Sequence, residues 1–194
     1  KGLTWRRKLV DLAIVLVVVA GASTVGQRFL AAKGAVTMFS WELAPAVMVA
    51  CGAGFVQPIE TAPLQDFLSR TSDRISCDAV DRHGATQPAL FALGERYAIH
   101  AAGLALRIGG LSWRTLDAYQ GLLFGLTMGL AYGILRLVAG PALAALGAVA
   151  LIWSDQVLAL LSFRDFGKAP AFFALWLVLG WTVSRNTERA SVTL

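Results

Sequence analysis

The chain has 194 residues, 57% of them hydrophobic and 15% charged, with a formal net charge of +5 and a mean hydropathy of +0.64. Soluble domains carry about a quarter of their residues as charges, so this composition excludes an ordinary water-solvated globule and points to a bilayer as solvent. The basic residues flank apolar runs instead of gathering on one face, which excludes nucleic acid as a partner and leaves membrane lipid in its place.

The first expected span is Leu9–Gly26, LVDLAIVLVVVAGASTVG, preceded by Lys1, Arg6, Arg7 and Lys8. About 20 apolar residues cross a bilayer, and this run nearly suffices. Asp11 sits near its start, where it reaches the interface at modest cost. The basic cluster places the N-terminus in the cytoplasm. The run lacks a clear small-residue cleavage site, so a retained anchor is expected instead of a cleaved signal. Because the sequence lacks an initiator Met and stops soon after an apolar segment, a processed form or a piece of a longer protein is also expected.

Residues 27–116 hold most of the acidic residues, both cysteines, both histidines and four of the six prolines. Short amphipathic pieces recur there. One is Glu42–Cys51 and another is Pro63–Leu68. A third is Gln87–Ile108, where Leu90, Leu93, Tyr97, His100, Ala101 and Leu104 follow three- and four-residue spacing. These read as helices on or near the membrane surface. Gly109-Gly110 ends the last of them.

A second span is expected at 117–138. Gly121, Gly125, Gly129 and Gly133 fall every four residues and line one face, as close helix packing requires. Ala139-Gly140-Pro141 forms a turn with Arg136 beside it on the cytoplasmic side. A third span is expected at 141–161, a short outer loop at 162–168 and a fourth span at 169–184; Arg185 and Arg189 mark the return to the cytoplasm. The expected fold is therefore an all-α integral membrane protein. It has about four transmembrane helices and a large extracytoplasmic loop, residues 27–116, carrying amphipathic surface helices.

Cys51 and Cys77 both fall in that loop. Outside the cytoplasm a disulfide between them is expected, the alternative being two reduced, buried thiols. Two cysteines with scattered histidines do not make a zinc site. His83 reads as a solvated loop residue and His100 as a packed or interfacial one. Asp155 and Gln156 lie inside the third span, lining a cavity or approaching the outer interface. The tryptophans mostly fall near span boundaries, as an aromatic belt does.

Two carboxylates carry the candidate chemistry. Glu42 follows the first span closely, in FSWELAP, and Asp165 lies in SFRDFGK between the third and fourth spans. A carboxylate flanked by aromatics at the interface is partly desolvated and becomes a better base. It can take a proton from an acceptor hydroxyl or hold a hard divalent cation. Arg164 and Lys168 suit a lipid phosphate. On spacing alone, each acid reads more simply as a solvated interfacial charge.

Trp41–Phe55 (WELAPAVMVACGAGF), Tyr97–Leu137 and Ser162–Pro170 (SFRDFGKAP) resemble, in order, parts of one family. They are similar to the first outer loop, the surface helix with its second span, and the second outer loop of polyprenyl-phosphate-dependent, GT-C-type membrane glycosyltransferases. Relatives in that family include the protein mannosyltransferases and aminoarabinose transferases. The order of elements is more specific than any single motif. The resemblance implies an inverting transferase of the bacterial inner membrane, moving a sugar from a polyprenyl-phosphate donor to an extracytoplasmic acceptor. It implies catalytic roles for Glu42, activating the acceptor, and for Asp165, near a divalent cation or the donor phosphate. Arg164 and Lys168 are then the donor phosphate-binding residues. The family often pairs acids in its first loop, whereas Trp41 precedes Glu42 here. It also has more core spans, so the chain reads as an N-terminal portion. The competing reading is a non-catalytic subunit packed with other membrane subunits in a larger complex. A transporter or channel fits less well, since neither paired broken helices nor an internal repeat is present.

Overall fold

The computed structural model describes residues 2–33, 40–81, 84–88, 90–161 and 163–192, with the side chains at 2–4, 6, 7, 33, 40–42, 91, 163–166 and 185–192 outside the description. Among the described residues the chain is helical without strands, apart from two isolated bridges, Gln57 with Thr86 and Arg74 with Ser112. The helices are α1 (Gly2–Lys33), α2 (Ser40–Ala50), α3 (Ala62–Leu68), α4 (Leu90–Gly94), α5 (Arg96–Gly109), α6 (Trp113–Val138), α7 (Pro141–Ile152), α8 (Asp155–Ala159) and α9 (Phe163–Val192). They divide into one compact unit of residues 1–27, 120–161 and 165–194 and another of residues 28–119 and 162–164.

Among the described residues two helices are long and apolar enough to cross a membrane, Lys8–Ala32 within α1 and Trp113–Val138, the whole of α6. In the first unit they pack antiparallel along the glycine stripe. Gly121 faces Ser23 and Gln27, Gly125 faces Ser23 and Val19, and Gly129 faces Val19 and Val15. A methyl group on Gly125 would stand 2.5 Å from the Val19 carbonyl oxygen, so the two backbones meet at a distance that only glycine permits. On the same helix Gly133 faces Leu177 of α9, and Leu137 faces Gly180, so α9 runs parallel to α6. Gly147 of α7 packs on Leu135.

The 141–161 stretch differs from one continuous span. After α7 the chain turns at Trp153-Ser154 and restarts as the short α8. Ser154 takes the N-cap position without a side-chain cap bond, and Asp155 puts an acid in the first turn, where the helix dipole favours a new start. The 12 residues of α7 rise about 18 Å, short of the roughly 30 Å hydrocarbon core. Asp155 and Gln156 are exposed in the first turn of α8. Residues 163–168, expected as a loop, are instead the opening turns of the 30-residue α9.

The second unit has its own core. α2 is buried along Leu43–Met48, and α5 lies against it with Ala98, Ile99, Ala102, Gly103 and Leu106 inward. Gly103 makes this closeness possible, because a methyl there would meet Ala46 O at 2.9 Å and the Val49 side chain. Leu64 and Phe67 from α3 and Trp113 and Leu116 from the start of α6 complete the cluster. Trp113 is thus a core residue, not a member of an interfacial belt; its indole N–H donates to Phe67 O, which satisfies its polar end. Gly110, at φ +92°, makes the turn from α5 to α6, a conformation that disfavours any side chain.

Cys51 at the end of α2 and Cys77 in a single 3₁₀ turn are joined by a disulfide across 26 residues. Loop-closure entropy puts its contribution at roughly 3 kcal/mol. Cys51→Ser with Cys77→Ser is expected to lower the thermal midpoint in detergent. Reductant should then have no further effect on the variant, while lowering the midpoint of the parent. A parent midpoint indifferent to reductant overturns this.

Candidate functional site

Glu42 is the third residue of α2, in the disulfide-closed unit. Arg164, Asp165 and Lys168 fall in the first two turns of α9. Four residues apart, Arg164 and Lys168 share one face of that helix, with Asp165 the next position round from Arg164. The side chains of Glu42, Arg164 and Asp165 lie outside the described residues, while Lys168 is exposed. The helix thus brings Arg164, Asp165 and Lys168 together in sequence register, and Glu42 stands on a separate element. His83 lies outside the described residues. His100 is exposed on α5, its ring stacked on Phe55 at 5.3 Å and its Nδ1 2.7 Å from Arg96 O, as an interfacial packing residue would be.

Two charges that sequence inspection does not single out form a largely buried pair in the second unit. Arg70 follows the C-terminal residues of α3 with φ +60°, the left-handed conformation usual for glycine after a helix. A non-glycine residue there is held at a cost, commonly on the order of 1 kcal/mol. Its side chain accounts for the choice. Nη2 donates to Asp117 Oδ1, and Nη1 donates to Leu30 O at 2.8 Å. The guanidinium lies over the Trp113 ring, 4.2 Å from its centroid. Leu30 O is one of the final carbonyls of α1, which lack partners within their own helix. Asp117 is in the second turn of α6, near the positive end of that helix. One cation therefore ties the ends of α1 and α6 to the turn after α3. Side-chain exposures of 13% for Arg70 and 9% for Asp117 leave little water to replace these bonds.

A second polar network lies in the first unit. Asp11 on α1 accepts from Tyr132 Oη at 2.8 Å and from Arg136 Nε at 2.9 Å on α6, while Arg136 Nη1 donates to Ala139 O at 3.0 Å. Asp11 and Arg136, read from sequence as an interfacial acid and a topology signal, are partners. In hydrocarbon or at its edge an acid and a base are far less costly together than apart. Their spacing of 125 residues hides this from any local pattern.

Neither network is arranged for turnover. In each, the carboxylate oxygen accepts from a guanidinium, which opposes a role as general base and suits holding helices in register. Among the described residues, no group of three or more His, Cys, Asp or Glu side chains is placed to hold a metal ion. No protein-family model, curated protein or solved structure matches the chain.

Proposed function

We propose that the chain is the N-terminal portion of a polyprenyl-phosphate-dependent membrane glycosyltransferase of the bacterial inner membrane. It crosses the membrane four times, with the N-terminus in the cytoplasm. The observation that carries this reading is the disulfide-closed helical unit between the two long apolar helices, with Glu42 on the first helix after α1. Disulfides persist in oxidising compartments, which favours the extracytoplasmic side for that unit. Helix direction supports the multi-pass part: α1 antiparallel to α6 and α9 parallel to it are what alternating crossings require. Exposed Leu12, Leu16 and Val17 on α1, and exposed Phe172, Leu175 and Trp176 on α9, suit lipid better than water. The 141–161 stretch then crosses as a broken helix, its turn lined by protein or water.

In this reading Glu42 takes the proton of the acceptor hydroxyl as that oxygen bonds to the anomeric carbon. The bond from that carbon to the phosphate oxygen breaks with inversion, and polyprenyl phosphate leaves. Arg164 and Lys168 take up the charge developing on the departing phosphate, and Asp165 orients them. A divalent cation, if Asp165 holds one, adds charge stabilisation at the same phosphate.

The test is sugar transfer from a polyprenyl-phosphate donor by the full-length protein in membranes. Glu42→Gln is expected to lower transfer at least about 100-fold. Asp165→Asn is expected to lower it at least tenfold or so, the low side of what a misplaced charge partner costs. Undiminished transfer in both variants overturns the site assignment. A full-length protein that binds no donor and purifies with a stoichiometric membrane partner overturns the enzyme reading in favour of the non-catalytic subunit.

A further inference from the structure

A helix on the surface of a water-solvated unit turns apolar residues to its core and polar residues outward. α5 departs from this. Its inward face packs on α2, yet the opposite face is also apolar: Tyr97 is 75% exposed, Ile108 79% and Leu104 55%. At 100° per residue these three positions fall within about 40° of one another around the helix axis. Arg96 and Arg107 are exposed on the edge between the two apolar faces, about 20° apart by the same count. α5 itself contains no acidic residue. Only residues 110–112 separate its end from α6, a helix long and apolar enough to cross the membrane. The chain therefore cannot carry α5's C-terminal end far from the bilayer surface.

We propose that the outer face of α5 lies in the membrane interface on the side of the disulfide-closed unit. Tyr97, Leu104 and Ile108 enter the boundary of the acyl chains, and Arg96 and Arg107 bind the phosphates of anionic phospholipids. The arrangement joins a buried apolar stripe to a cationic edge at headgroup height, the combination by which interfacial helices hold anionic membranes. Arg96 also donates to Tyr97 Oη at 2.7 Å and stands over that ring, which keeps the tyrosine's polar tip beside the cation at the water boundary. The proposal rests on α6 crossing the bilayer and is independent of sugar transfer.

Spin labels on the full chain test it. Labels are placed at Tyr97→Cys, Leu104→Cys and Ile108→Cys, with Leu126→Cys as a reference on α6 and Asp78→Cys as an aqueous one. The protein is reconstituted in phosphatidylcholine vesicles with or without phosphatidylglycerol. Labels at 97, 104 and 108 should collide more with oxygen than with a polar nickel chelate, as at 126 and unlike 78. Arg96→Gln with Arg107→Gln should lower the preference for phosphatidylglycerol over phosphatidylcholine at least about fivefold. Lipid exposure at 126 with aqueous exposure at 97, 104 and 108 overturns the proposal. Aqueous exposure at 126 overturns the crossing beneath it as well. Membrane-buried labels with no change in lipid preference in the double variant overturn the phosphate assignment.

Discussion

Asp117→Ala is expected to destabilise the protein by about 3–5 kcal/mol, the range found when one member of a buried ion pair is removed. The cost comes from what is left behind. Arg70, 13% exposed beside Trp113 in the parent, would lose the carboxylate that pairs with its charge. Arg70→Ala is expected to cost at least as much, because Leu30 O then loses its donor as well as Asp117 its partner. Arg70→Lys is not conservative: a single ammonium cannot reproduce a fork that reaches Leu30 O and Asp117 while stacking on an indole. Arg70→Met combined with Asp117→Leu should recover much of the loss, since neither charge is then stranded. Equilibrium unfolding of the parent and the four variants in one detergent measures this. Single variants within about 1 kcal/mol of the parent would sink the claim that the pair secures the ends of α1 and α6.

Gly125→Leu is the second large effect. An added Cβ would overlap Ser23 Oγ, which can rotate, and would stand 2.5 Å from the Val19 carbonyl oxygen, part of the α1 backbone, which no rotamer change can move aside. The two helices must separate, and the neighbouring contacts at Gly121 and Gly129 loosen with them. Overpacking a tight site costs typically 1–3 kcal/mol, and a Leu at a backbone-to-backbone crossing belongs at or above the top of that range. Gly21→Ala is the matched comparison. It lies on α1 with nothing within 4 Å of an added Cβ, so it should be neutral or stabilising by up to about 1 kcal/mol. Thermal midpoints of the two variants should therefore move in opposite directions or differ widely. Equal midpoints would mean that the stripe does not set the distance between α1 and α6.

What could be read from sequence followed from local pattern. Long apolar runs announced α1 and α6, four-residue glycine spacing announced close packing of α6 on some other helix, and two cysteines in one inter-span region announced the disulfide. The outward stripe at Leu90, Leu93, Tyr97 and Leu104 was also legible, because a period of three to four residues survives whichever face is buried. What escaped notice depends on distance along the chain. Arg70 meets Asp117 across 47 residues and Asp11 meets Arg136 across 125, and neither pairing leaves a local trace. Arg70 was further hidden because its left-handed turn is normally signalled by glycine. The break at Trp153-Ser154 did have a signal, a Ser-Asp helix start within an apolar stretch, outweighed there by hydropathy. The helical start of α9 ran against Gly167 and the charges of SFRDFGK, which read locally as a turn. Of the four residues with expected roles, local pattern grouped Arg164, Asp165 and Lys168 in one short loop, and the structure sets them on one helix.

The covalent link between Cys51 and Cys77 also has a meaning in time. The two thiols leave the ribosome only 26 residues apart, and both precede α5 and α6 in the chain. At 5–20 residues per second, about one to five seconds of synthesis separate them. If the unit lies outside the cytoplasm, as proposed above, a thiol oxidase there could close this ring before α6 has emerged. The nascent chain would then present α5 with a partner already cross-linked at the end of α2, so the order of oxidation and translation would guide the order of docking.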